Sequence, residues 1–533
     1  MALHGLVRFT PRLGPSQPSL TRGLATQVRG LFGHSRKVED SAKEERRNFD
    51  VVIVGGGMIG SALGCALKHA PLTSKLSIAV VDRAPKSELT PRQGERVGEN
   101  TEEKDVGSNV RFPDLRVSTL TPSTLDLLRQ VGVGERIQPP TSAAFENMQI
   151  WDTYGQGFVH FSGKSVGSGG LHLGHVIENE VLKQILQEKA ADLGCEFIYG
   201  DVSDILLPGP EVGITKTPGT PMATAGEGDG VQVLLNEGET ALRTPLVIGA
   251  DGANSFVAKK AGIRSTSYNY GQRAVTCTVR TSGDHSTAFQ RFLSTGPIAL
   301  LPVRDGFSNI VWSTSVSEAK HLEGLSSEDF AHAVNDVFSR EPKGNPSSGI
   351  LASRLSSLAT SLFSSGKDVT SQGGNKENQF VVPPEVLEVV GTSQKSFPLR
   401  MKHAFTYCRK GVALVGDAAH SIHPLAGQGV NIGFGDVDVL VETLQEALWS
   451  GQNYADLLTL EKYSKKRLTS NAMMIRTLEM VKATYQSQFA PLAAARNLGM
   501  GILNSAGPLK DLVVGYASSN ASPLKIVGRK EGS

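Results

Sequence analysis

The feature that most constrains this chain is a run of six residues, Gly55-Gly56-Gly57-Met58-Ile59-Gly60, directly after the apolar stretch Phe49–Val54. A short, nearly unbroken apolar run suits a strand buried on both faces of a parallel sheet. The Ala- and Leu-rich segment Ser61–His69 reads as a helix, and Ile78–Val81 reads as a second buried strand. Strand, glycine turn, helix and strand in that order make a nucleotide-binding unit. Gly55 permits the tight turn, Gly57 lets the backbone approach a pyrophosphate, and Gly60 lets helix pack on strand. The phosphates belong at the helix N-terminus, where free N–H groups and the helix dipole favour negative charge. Asp82 stands near the offset of about 20 residues expected of an acid that binds ribose hydroxyls.

A second motif distinguishes among dinucleotides. Gly411–Val415 is an apolar strand ending in Gly416-Asp417, followed by Pro424-Leu-Ala-Gly427-Gln-Gly429-Val430-Asn431. An Asp at a strand end can accept from a ribityl hydroxyl, and glycines opening the next helix can present N–H groups to a flavin carbonyl. A nicotinamide cofactor has no ribityl chain. A third motif, Leu246-Val-Ile-Gly-Ala-Asp251-Gly252, is again a strand followed by a turn.

These three motifs closely resemble those of the class A flavoprotein monooxygenases, the para-hydroxybenzoate hydroxylase type. The resemblance runs from Phe49 to about Arg467. Within that family Arg116–Pro122, Gly174–Asn179, Gln290–Leu293, Gly296–Pro302 and Ser396–Leu399 are most similar to the ubiquinone-biosynthesis branch. It implies FAD as cofactor, with Gly55, Gly57 and Gly60 at the pyrophosphate and Asp82 at the adenosine ribose. It also implies Asp251 in the third motif, Asp417 at the ribityl chain, and Gly429, Val430 and Asn431 against the isoalloxazine. Arg116 and Asn179 match positions beside the flavin; a surface ion pair and a helix N-cap are their plainer alternatives. One departure is that Ala258 stands where the family usually has an Arg, with Lys259 adjacent.

The implied fold is α/β: an FAD-binding Rossmann-like domain interleaved with an antiparallel-sheet substrate domain, then a C-terminal helical region. The FAD-binding part covers mainly 48–140, 165–265 and 396–450, and the substrate sheet mainly 266–340 and 380–395. Residues 341–379, rich in Ser, Gly and Asn, read as a low-complexity insertion, with a short helix possible at Leu351–Leu362, and Pro208–Gly230 reads as another loop. Residues 451–533 form the helical end. Thr119–Val131 and Val181–Leu193 read as amphipathic helices.

The implied reaction is hydroxylation of a prenylated 4-hydroxybenzoate ortho to its phenol, through a flavin hydroperoxide held in a water-excluding pocket. Molecular oxygen is the co-substrate, a ferredoxin and its reductase are the implied electron source, and other ubiquinone-biosynthesis proteins are implied partners. Alternatives are a related monooxygenase or epoxidase on another lipophilic substrate, and a non-redox FAD-fold scaffold that binds a prenylated partner. Tyr268, Tyr270 and His403 are candidates for activating the phenol by neighbourhood only, and His420 reads as a satisfied histidine beside the flavin loop.

Charge and composition fix the setting. Among 533 residues, 39% are hydrophobic and 20% charged, and the formal charge of +2 gives no basic field for nucleic acid. The first 38 residues hold Arg8, Arg12, Arg22, Arg29, Arg36 and Lys37 and no acid. This is the composition of a mitochondrial transit peptide, and without those six the remainder carries 48 basic and 52 acidic side chains. The inner membrane, matrix side, is the implied address. The apolar tail Phe489–Val527 reads either as a peripheral membrane or lipid-entry segment, or as helices that cover the protein's own core. Four scattered cysteines form no metal-binding spacing.

Overall fold

The computed structural model describes residues 45–83, 113–139, 141–153, 158–163, 172–208, 230–339, 380–391, 394–423, 427–487, 495–496 and 499–500. The leader, residues 341–379 and most of the tail lie outside these. All described residues belong to one unit, Glu44–Ser533.

Its centre is a six-stranded sheet in the order Cys408–Arg409, Val412–Leu414, Leu246–Gly249, Val51–Val54, Ile78–Asp82, Glu196–Tyr199. All neighbours pair in parallel except the first two. Val51, Val52, Ile53, Ala79, Val80, Val247 and Ile248 are completely buried, as their unbroken apolar spelling requires. Burying each larger aliphatic side chain contributes roughly 1.5–3 kcal/mol. Helix Met58–His69 covers one face and packs on helix Asn179–Asp192; there Gly64 lies so close that a Cβ would stand 3.1 Å from Cys195 Sγ.

The second large sheet has nine strands. Its main path runs His420–Ser421, Lys395–Ala404, Ser265–Thr281, Phe307–Ser315, Gly296–Pro302, Thr287–Leu293, Asn147–Asp152, Phe158–Ser162. It is antiparallel except that Asn147–Asp152 runs parallel to Thr287–Leu293. Side chains alternate between the two faces with the period of two that pleating imposes, and Thr287–Leu293 and Phe307–Ser315 are buried on both faces over most of their length. Val275, Cys277, Val279, Ile298, Leu300, Ile310 and Trp312 face helices Val316–Glu323 and Ser327–Ser339, while the intervening residues face the opposite side.

The structure differs from the sequence reading in several places. The first amphipathic helix starts at Pro122, whereas Thr119 lies in the strand Val117–Leu120. A residue before proline is held extended, and Thr121 takes that conformation and caps the helix through Thr124 N–H. The second helix begins two residues early, at Asn179, on Glu178 as its cap. The charged stretch before Phe49 contributes a strand, Glu45–Asn48, which pairs in parallel with Thr240–Thr244. Lys395–Ala404, grouped with the FAD-binding part from 396 onward, is hydrogen-bonded into the nine-stranded sheet.

Candidate active site

Three motif turns leave one edge of the parallel sheet. Leu246–Gly249 lies between Val51–Val54 and Val412–Leu414. The ladder extends into the turns: Gly55 N–H donates to Val81 O (2.7 Å), Ala250 N–H to Val54 O (2.8 Å) and Val415 N–H to Gly249 O (2.9 Å). Segments some 360 residues apart in sequence are thereby brought into contact, since a Cβ on Gly416 would fall 3.3 Å from Ile59 Cγ1, and one on Gly433 would fall 2.8 Å from Ile59 Cδ1.

The glycine turn is built for close approach. Gly55 has φ +110°, and a Cβ there would lie 2.4 Å from Ala250 O; one on Gly60 would lie 1.9 Å from Gly55 O. A Cβ built on Gly57 would meet nothing within 4 Å among the described residues. Helix Met58–His69 opens on Gly57 with no side-chain cap and no acid in its first turn, so its orphan N–H groups and positive pole are available to an anion. Asp82 reaches this turn: a Cβ on Gly56 would stand 2.7 Å from its Oδ2.

At the second turn Gly416 takes φ +58°. Asp417 is solvent-accessible yet set among protein atoms; this desolvation raises its carboxyl pKa, opposed by His420 and Lys402. Lys402, half-buried, donates to Ala253 O (2.8 Å) and Ala418 O (3.0 Å), tying the Asp251 turn to the Asp417 turn. Burial lowers its amine pKa, and the Asp251 and Asp417 carboxylates hold it up. Asp251 Oδ2 accepts from Phe256 N–H (2.6 Å) and Val257 N–H (3.1 Å), starting the next helix. Ala258 is buried in that helix and Lys259 is exposed, so the cation that reaches this turn is Lys402.

Beneath the second turn is a buried polar network. Asp436 Oδ2 accepts from Gly416 N–H (2.9 Å) and lies 2.6 Å from His420 Nε2, while its Oδ1 accepts from Arg467 Nε (2.7 Å). Burial alone would raise the Asp436 pKa, but His420 and Arg467 hold it down at about 2. His420 is therefore a satisfied core histidine. Asn431, completely buried, donates to Thr119 O (2.8 Å) and accepts from Thr124 Oγ1 (2.9 Å) and Thr121 N–H (3.0 Å). These bonds fix the start of helix Gln428–Trp449, which opens on Gly427 (φ +63°) without a side-chain cap or a first-turn acid.

Beside these turns lies a cavity of about 730 Å³. Its walls are the open face of the nine-stranded sheet (among them Met148, Ile150, Gln290, Ala299, Val311), the strand carrying Val117 and Thr119, and the end of helix Leu457–Gln486. Arg116, Asn179 and Gly427 line it as well. Arg116 is exposed, and no described ion pair involves it. Asn179 Oδ1 accepts from Ser118 Oγ (2.7 Å), and Asn179 follows the cap residue instead of being it. Among the described lining residues there is no carboxylate, imidazole or lysine amine. Tyr268, Tyr270 and His403 do not line the cavity: Tyr268 is exposed, Tyr270 donates to Glu479, and His403 contacts Tyr407 Oη (2.8 Å).

The comparisons agree with this geometry. A model of the FAD binding domain matches residues 106–345 and 378–477. The mitochondrial ubiquinone biosynthesis monooxygenase COQ6 of Danio rerio is 32% identical over 497 residues, covering 93% of this chain and 94% of that protein. The Homo sapiens protein of the same name is 33% identical, covering 88% and 92%. The chain belongs to this family of FAD-dependent monooxygenases. Among solved structures, p-nitrophenol 4-monooxygenase PnpA from Pseudomonas putida DLL-E4 superposes with TM-score 0.58 at 15% identity, covering 89% of this chain and 99% of that one. PqsL from Pseudomonas aeruginosa gives 0.57 at 17%, covering 85% and 99%. At such identities these two speak for the shared fold.

As a family member the chain uses FAD, and its donor set fits that group: an uncapped helix behind a glycine turn, an acid at each of two strand ends, and a second uncapped helix. Sequence reasoning missed Lys402, Asp436 and Arg467. Lys402 lies on an ordinary strand and acts on two turns through space. Asp436 and Arg467 sit on helices where a single charge reads as solvated.

Proposed function

We propose that this monooxygenase hydroxylates the aromatic ring of a prenylated 4-hydroxybenzoate-type intermediate, ortho to the phenol, in ubiquinone biosynthesis. One observation carries the reading: the edge where the three motif turns meet adjoins a large, mainly apolar cavity whose wall includes Arg116, Asn179 and Gly427. An aromatic head group with an apolar tail matches such a lining, and the relatives' name supplies the pathway.

In this reading Gly55, Gly57 and Gly60 hold the pyrophosphate, Asp82 the adenosine ribose, and Asp417 the ribityl chain. Asp251 holds the third turn in place. Gly429 and Val430 present backbone to the flavin ring, Asn431 fixes that backbone to Thr119, and Arg116 and Asn179 flank the ring system. Bound, reduced FAD would supply the two electrons that activate dioxygen, so that one oxygen atom is inserted into a ring C–H bond as a hydroxyl and the other leaves, with two protons, as water. The protein's part is to orient the phenol and exclude water. Because the described lining offers no carboxylate or imidazole base, phenol activation falls to cationic and hydrogen-bonding groups, with Arg116 favouring the phenolate by charge.

The electrons come from a ferredoxin and its reductase, and other proteins of the pathway are partners. The site of action is the matrix face of the mitochondrial inner membrane, with peripheral contact. The acid-free leader and the mitochondrial names of the relatives support this address, and among the described residues no helix is long and apolar enough to cross a membrane. The domain division drawn from the sequence is part of the same proposal, with Lys395–Ala404 counted to the sheet part. Replacing the wild type with Asp417→Ala in its host tests the reading. It expects prenyl-hydroxybenzoate lacking the first added oxygen to accumulate, and normal quinone levels would refute it.

A further inference from the structure

Arg496 and Asp152 form an ion pair in which both side chains are almost wholly buried. Asp152 ends the strand Asn147–Asp152, whose Met148 and Ile150 line the cavity, and Arg496 lines it too. The guanidinium makes three further contacts. It donates to Thr484 O at 2.6 Å and approaches Ser487 O at 3.4 Å, at the end of helix Leu457–Gln486, where unsatisfied carbonyls and the helix dipole favour a cation. It also sits 5.1 Å from the centroid of Tyr485, whose ring stacks on Phe292 at 3.8 Å. Four residues further along the chain, Met500 packs with Val159 and Phe161, and Gly499 and Met500 line the cavity.

A buried cation that satisfies a helix end, a sheet carboxylate and an aromatic face has one geometry open to it, so the backbone that carries it is fixed as well. We infer that Arg496 is a positioning residue: through Asp152 it seats itself, Gly499 and Met500 as a wall of the cavity, and this wall keeps water from the oxygen-transfer site. Arg496 and Asp152 take no part in the chemistry. This assigns the tail's described residues to the cavity and rests on the monooxygenase reading above. Without the pair, water enters, and dioxygen takes up two electrons and two protons and leaves as hydrogen peroxide in place of oxygenating the ring.

The test uses the full-length, FAD-loaded chain with Arg496→Met, Asp152→Asn and the double variant, and short-chain 3-prenyl-4-hydroxybenzoate as probe. FAD content stays at the wild-type level, and peroxide released per hydroxylated product rises severalfold in both single variants. The double variant leaves no lone buried charge, so it folds even where a single variant does not; the inference requires it to remain uncoupled. Wild-type coupling in the double variant, or in both FAD-loaded single variants, overturns the proposal. Iodide quenching of the bound flavin's fluorescence needs no substrate. Increased quenching in the variants upholds the wall even if the probe is not the substrate, and unchanged quenching sinks it.

Discussion

Arg467 Nε donates to Asp436 Oδ1 at 2.7 Å in the interior, joining helix Leu457–Gln486 to helix Gln428–Trp449, which opens beside the Asp417 turn. Asp436 also accepts from Gly416 N–H, so one carboxylate sets both the turn and the helix over it. Asp436→Asn leaves Arg467 with an uncompensated buried charge, and its expected cost is about 3–5 kcal/mol in chemical denaturation. Glu461→Gln, which breaks an exposed pair with Lys465, costs less than about 1 kcal/mol.

Acid acts through buried imidazoles before it reaches that carboxylate. Desolvation holds His175 and His423 down at about 4. In the unfolded chain they titrate near 6.5. Between those values the unfolded state binds more protons, so stability falls as pH drops from about 6.5 towards 4. Asp436, held at about 2, adds loss only below about pH 4. Among the described residues neither ring nitrogen of His423 has a hydrogen-bond partner, so His423→Leu strands no described polar group. Denaturation midpoints against pH check this: the slope between 6.5 and 4 flattens in His423→Leu, and an unchanged slope contradicts the assignment.

Gly57 and Gly60 separate folding from cofactor binding. A Cβ at position 60 collides with Gly55 O, whereas one at 57 meets nothing within 4 Å among the described residues. Gly60→Ala therefore lowers stability of the FAD-free chain. Gly57→Ala changes it by less than about 1 kcal/mol but weakens FAD binding at least roughly tenfold, about 1.4 kcal/mol. Thermal melts and flavin-fluorescence titrations on both variants decide the matter.

Lys402→Met removes the strut between the Asp251 and Asp417 turns while keeping the apolar stem. FAD affinity is expected to fall about tenfold, again about 1.4 kcal/mol, with little change in the FAD-free melting point. Unaltered affinity in a titration would show that the turns hold their spacing without it.

The parallel sheet could be read from the sequence because each of its three motif strands spells out its burial without interruption and runs into glycine. Val51–Val54, Leu246–Gly249 and the strand before Gly416 needed no tertiary information. Thr119 was misassigned because its polar spelling fits a helix start as well as a strand; Pro122 and the Thr121 cap decided between them. Glu45–Asn48 was missed because an edge strand of charged residues carries no apolar pattern, and its partner is nearly 200 residues away. The cavity's lining alternates along strands that look alike on both faces, so only the sheet's position beside helices Val316–Glu323 and Ser327–Ser339 reveals which face is open. Arg496 and Asp152 carry no local signal, and their pairing is a property of the folded chain.

In the proposed reaction, flavin, dioxygen and a prenylated phenol meet where the three turns adjoin the cavity. Purified full-length protein, loaded with FAD and supplied with ferredoxin, its reductase and ¹⁸O₂, should convert 3-prenyl-4-hydroxybenzoate to a product carrying one ¹⁸O on the ring carbon ortho to the phenol. Reductant consumed with peroxide formed and no labelled ring product would contradict the account.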